Sequence, residues 1–140
     1  MYSDATKSSW QSIAVLVARL IFAAAFLMAA GFKFAGMSET AGYIASAGFR
    51  FPLFFAWVAA IFEVLLALGF LSGAFLSEVA IVAAAYVLFL AFSFHGPARW
   101  EGNQVEFGFF VDHFTFIAGL LFAAAHGPGR WAWRSGTAGA

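Results

Sequence analysis

Glu63 stands near the middle of the apolar run Pro52 to Leu71, and Arg19 lies inside another, Ile13 to Phe34. Ionisable groups at bilayer depth are costly and face a partner, a cavity or a site. Counted from the helix ends, Arg19 lies roughly 9 Å deep and Glu63 roughly 12 Å from the same side. An Arg19–Glu63 ion pair is therefore the simplest arrangement that keeps both tolerable. Such a pair can fix helix register, polarise a carbonyl such as a quinone oxygen, or handle protons with Glu63 as the titrating group. A second polar set gathers at the opposite end of the spans: Lys33, His95, Asp112 and His113. Lys33 with Asp112 makes an obvious interfacial ion pair. Asp112 and His113 are consecutive, so their side chains diverge by about 100° on a helix and serve different faces. His95 and His113, from facing ends of consecutive helices, could approach a metal or haem. Two imidazoles without typical ligand spacing do not by themselves call for one, and no metal is expected. Asn103, Glu101 and Glu106 are nearby sources of oxygen ligands.

The elements that must carry these residues are set by composition. Apolar residues make up 64% of the 140 and charged residues 10%, against about 45–50% and 25% in soluble domains. The chain reads as an all-α membrane protein, an antiparallel bundle of four transmembrane helices over about residues 13–34, 52–71, 74–94 and 107–125. It forms one domain across 1–140. Each span reaches roughly 28–33 Å, enough for a hydrocarbon core. Ser72-Gly73 reads as a tight turn, Met37 to Ala47 as a short helix with Ser38 as N-cap, lying at the interface or re-entering the bilayer edge, and His126 followed by Gly127-Pro128-Gly129 as a helix end. The first run is too long for a signal-peptide core and has no basic stretch before it, so it is read as retained. Small residues such as Ala23-Ala24-Ala25 and Ala83-Ala84-Ala85 permit close helix approach. The 20 phenylalanines read as lipid-facing and packing residues, and Trp10, Trp57, Trp100, Trp131 and Trp133 as interfacial anchors.

Other classes are excluded or made less favourable. Net charge is zero with no basic run, so a nucleic-acid partner is not expected. Without cysteine there is no disulfide, thiolate metal site or dithiol chemistry. No nucleotide-binding glycine loop, zincin motif or nucleophile elbow occurs. Lys7, Arg130 and Arg134 face Lys33, Arg50 and Arg99 across the spans, and Arg19 tips that balance toward cytoplasmic termini.

Ala18-Arg19-Leu20, Gly31-Phe32-Lys33-Phe34, Phe62-Glu63-Val64, His95 closing the third span, Gly119-Leu120-Leu121 and the terminal Gly127-Pro128-Gly129 follow one another in an order that resembles the DoxX family over about residues 13 to 131. In that resemblance Arg19, Lys33 and Glu63 fall on typical polar positions. The fourth span departs: Asp112-His113 stands where such proteins often have Lys-Asn, and Ala118-Gly119 keeps one of two glycines. The resemblance implies a small bacterial inner-membrane protein, a subunit of a redox-associated complex with a quinone as candidate cofactor; since the chain has no visible site for electrons to enter, catalysis by it alone is not expected. Lipids and other membrane subunits, or further copies of the chain, are the expected partners. Two other classes compete: a structural or assembly subunit, and a small transporter or proton pathway linking Glu63 to Asp112 or His95.

Overall fold

The protein is described by a computed structural model covering residues 9–133. Its helices are α1 (Ser9–Ala35), α2 (Met37–Ser46), α3 (Pro52–Ser72), α4 (Leu76–His95) and α5 (Gln104–His126), with a 3-10 turn at Pro97–Arg99. The fold is all-α, and α1, α3, α4 and α5 are each long and apolar enough to cross a membrane. Lys7 and Arg134, which enter the charge balance, lie outside the described residues.

The helices overrun the apolar segments because hydrogen bonding, not hydropathy, ends a helix. Ser9, Trp10, Gln11 and Ser12 extend α1 by a turn. The start of α3 carries Pro52 in its first turn, where the missing N–H costs nothing. Its end is closed by Gly73, whose φ of 71° lets its N–H reach the Gly69 carbonyl in a left-handed cap. The following turn is longer than the Ser72-Gly73 pair expected from sequence, because Phe75 also takes a positive φ, 52°, and α4 begins only at Leu76. Ser38 is not the cap of α2. A single non-helical residue, Gly36, separates α1 from α2, so the N-cap falls there and Ser38 sits inside the first turn.

The chain forms two compact units. The first holds α1, α2, α3 and, among the described residues after α5, 127–133. In it α1 packs along α3, and α2 lies against α3. The buried residues of α1 are Ser12, Arg19, Ala23, Phe26 and Ala30, and those of α3 include Ala56, Ala60, Glu63, Ala67 and Phe70. The α1 set advances by one seven and then by fours and threes, and these α3 residues by fours and threes, the spacing of a helix–helix seam. Alanines let the backbones approach, and Phe26 stacks on Phe70 with ring centres 5.9 Å apart. Arg19 and Glu63 occupy positions within these two stripes.

The second unit runs from Ser77 to His126 and contains most of α4, the 3-10 turn and α5. Aromatic rings join the end of α4 to the start of α5: Phe92 meets Phe110 edge-on at 5.2 Å and His95 meets Phe109 at 5.2 Å. Trp100 does more than anchor. Its indole N–H donates to the His95 carbonyl at 2.8 Å, and its ring packs on Phe107 and Phe110, so it ties down the connection. Asn103 caps α5, its side-chain oxygen accepting the Glu106 N–H at 3.4 Å.

Gly73 and Gly48 differ in a way that can be measured. Both have positive φ, so alanine costs about 1 kcal/mol in backbone strain at either. A Cβ at Gly73 would also come within 2.7 Å of the Arg19 guanidinium and 2.8 Å of the Ala132 Cβ, whereas Gly48 has no atom within 4 Å. Thermal unfolding in detergent is expected to show Gly73→Ala with a distinctly larger fall in Tm than Gly48→Ala; equal falls would mean that the space beside Gly73 is not constrained.

Candidate functional site

Arg19 is 3% exposed on the inner stripe of α1. Its Nε donates to the Phe70 carbonyl at 2.9 Å and its Nη2 to the Leu71 carbonyl at 2.7 Å. Nη1 donates to the Pro128 carbonyl at 3.2 Å and to the carbonyl of Trp131. Carbonyls in the last turn of a helix have no partner within it and form the negative end of its dipole. A guanidinium, with five N–H donors in a fixed plane, can satisfy several at once. It also ties the segment after α5 to the end of α3, where the Trp133 N–H donates to the Ser72 carbonyl at 2.8 Å. Gly73 supplies the space the guanidinium fills.

The expected Arg19–Glu63 ion pair is thereby overturned. Glu63 accepts instead from Lys33, with Nζ 2.9 Å from Oε1. The residue count from the ends of the apolar runs puts the two level, but the observed register sets Arg19 beside Phe70 and Leu71, and every Cα–Cβ bond in a helix tilts toward the helix N-terminus. On antiparallel α1 and α3 the two side chains lean in opposite directions along the seam. Arg19 leans toward the end of α3 and its open carbonyls. Glu63 leans toward the start of α3, and Lys33, near the end of α1, leans back to meet it. The Glu63 side chain is 2% exposed and that of Lys33 22%. This is a largely buried pair with its cation reaching the edge of the unit.

Lys33 is engaged by Glu63 within the first unit, and Asp112 is exposed on α5 in the second. Its sequence neighbour His113 takes a different side of the helix, as the 100° step requires. The His113 and His95 ring centres are 5.0 Å apart, with planes at 49°. Nδ1 of His95 lies 2.7 Å from Glu106 Oε2, and Nδ1 of His113 lies 2.7 Å from the Phe109 carbonyl. Both acceptors lack a hydrogen, Glu106 as a carboxylate, so each Nδ1 is the donor. Sequence reasoning noted Glu106 only as a spare oxygen ligand. A signal was available: Asn103-Gln104-Val105-Glu106 has the spacing of a helix-start capping motif, which puts Glu106 in the first turn of α5, on the side of the connection from α4.

Comparison with known proteins adds one match. The model of the DoxX family matches residues 14–96, from the first turns of α1 to the residue after α4. Arg19, Lys33, Glu63 and His95 fall inside the match; Glu106, Asp112 and His113 fall beyond it. No curated protein and no solved structure matches the chain.

Two outcomes follow from the polar contacts of the first unit. Arg19→Gln removes charge-assisted hydrogen bonds worth about 1.5–3 kcal/mol each and not additive, so trypsin is expected to cut after Arg130 many times faster than in the parent; an unchanged rate would show that Arg19 does not hold that segment. Lys33→Gln and Glu63→Gln are each expected to destabilise by about 1–3 kcal/mol, and the double variant by clearly less than their sum, since a lone buried charge is the costly state. Additive losses in a denaturation cycle would deny the pair its coupling.

Proposed function

The chain belongs to the DoxX family, and from that premise we propose that it is an integral membrane subunit of a redox-associated complex that holds a quinone headgroup at Lys33. The membrane is the bacterial inner membrane, with the termini on its cytoplasmic side. The observation that carries this reading is the Lys33–Glu63 contact. A quinone carbonyl is an acceptor and needs an N–H or O–H donor at the end of an apolar slot. Arg19 is committed to backbone carbonyls, and His113 gives its Nδ1–H to Phe109. Lys33 carries three N–H donors and gives one to Glu63, while its side chain retains partial exposure.

Glu63 has the positioning role: it holds the ammonium at one place on the inner stripe. The same end of the α1–α3 seam carries an aromatic pair, Phe34 and Trp57 with ring centres 5.9 Å apart, of the kind that packs on a flat ring. The quinone, when bound, supplies the redox chemistry, and the partner subunit exchanges electrons with it. This chain binds and orients.

A second reading, an assembly subunit without a ligand, draws on Arg19. A buried cation used wholly to fasten backbone segments makes a rigid piece on which other subunits can build.

One preparation separates the readings. The protein is extracted from its native membrane in a mild detergent, and quinone and co-purifying subunits are quantified. The parent chain is expected to retain quinone near stoichiometry together with a redox subunit, and Lys33→Gln, alone or with Glu63→Gln, to lose most of the quinone while keeping the subunit. A partner without quinone in the parent would establish the assembly reading. A lone, ligand-free chain would discard both and turn attention to pH-dependent flux in vesicles.

A further inference from the structure

His95 and His113 come from different helices and share one face of the second unit, and nothing in the quinone reading uses them. Their hydrogen bonds run through Nδ1 alone. In each ring the Nδ1 hydrogen points at an acceptor, so the neutral imidazole is the tautomer whose Nε2 carries a lone pair. Neither Nε2 has a hydrogen-bond partner among the described residues.

The acceptors themselves are informative. A carboxylate behind one histidine and a main-chain carbonyl behind the other are the usual partners of metal-bound imidazoles: they set the tautomer, orient the ring and raise its basicity. Here Glu106 and the Phe109 carbonyl fill those places, each at 2.7 Å. Glu106 is itself placed by the Asn103 cap at the start of α5, and His95 is steadied by the Trp100 indole on its own carbonyl.

We propose that His95 and His113 bind one divalent transition-metal ion, zinc in the first instance, through their two Nε2 atoms. The spacing suits that ion. With metal–nitrogen bonds of about 2.0–2.1 Å and roughly 1 Å from nitrogen to ring centre, two imidazoles at a tetrahedral angle have centres about 5 Å apart. The observed separation is 5.0 Å. Ligands on opposite faces of a haem iron would put the ring centres about 6 Å apart or more by the same construction, so haem is not the ligand. Nitrogen ligands without thiolate suit zinc, copper and nickel better than magnesium or calcium. Among the described residues no third histidine, cysteine or carboxylate joins to form a larger ligand group. The two remaining positions therefore belong to water or an exogenous ligand, and the site is open and exchangeable.

The site rests on the second unit alone and is independent of quinone binding at Lys33. Full-length protein in detergent, stripped with a chelator, is titrated with zinc chloride by calorimetry. One ion per chain is expected, with affinity lowered at least tenfold by His95→Ala or His113→Ala and 10–100-fold by Glu106→Gln, and unchanged in His126→Ala. Parent-like affinity in both histidine variants, or no saturable binding in the parent, would overturn the site. Because an alanine variant could lose its fold, the parent is also loaded with one equivalent of copper(II) and examined by electron paramagnetic resonance. Hyperfine structure from two imidazole nitrogens supports the pair; one nitrogen or none sinks it.

Discussion

At the end of α3 the last carbonyls have no amide left in their own helix, and in an apolar surrounding each needs a donor from elsewhere. Arg19 supplies it. One planar guanidinium serves Phe70 and Leu71 at that helix end and Pro128 and Trp131 in the segment after α5. The arrangement explains several neighbouring choices at once. Gly73 is glycine because its φ is positive and because a Cβ would enter the space of the guanidinium. Phe26 and Phe70 can stack beneath it because alanines keep α1 and α3 close. Residues 127–133 belong to the first unit because this cation and the Trp133–Ser72 hydrogen bond hold them there.

A second constraint is directional. Side chains on antiparallel helices lean toward opposite ends of their shared seam. With the register of this seam, Arg19 reaches the end of α3 at Phe70 and Leu71, and Glu63 meets Lys33 instead. The outcome separates the polar residues by task. Arg19 fastens main chain to main chain, whereas the Lys33 ammonium, with one donor on Glu63 and partial exposure, keeps chemistry to offer.

In the second unit the same care for hydrogen-bond partners acts on imidazoles. Nδ1 of each is occupied, by Glu106 for His95 and by the Phe109 carbonyl for His113, so ring orientation is set by the fold. Glu106 is not distinctive in the sequence because a glutamate in a loop-side stretch resembles any solvated charge. Its importance comes from the Asn103 cap, which fixes where α5 starts and hence the direction in which the first-turn carboxylate projects. Trp100 was legible as an interfacial aromatic but not as the donor that closes the connection, since its partner is a carbonyl and leaves no trace in residue types.

The sequence by itself determined the class of the protein: long apolar runs nearly free of charge can only be satisfied as helices in a membrane, and Pro52 and Gly127 marked the start of α3 and the end of α5. It also singled out Arg19, Lys33, Glu63, His95 and His113, because polar groups in such runs are few and expensive. Which of them meet was decided by tertiary structure. Partner choice depends on side-chain lean, on register between antiparallel helices, and on main-chain carbonyls that every residue carries alike. A string of residue types records none of these three.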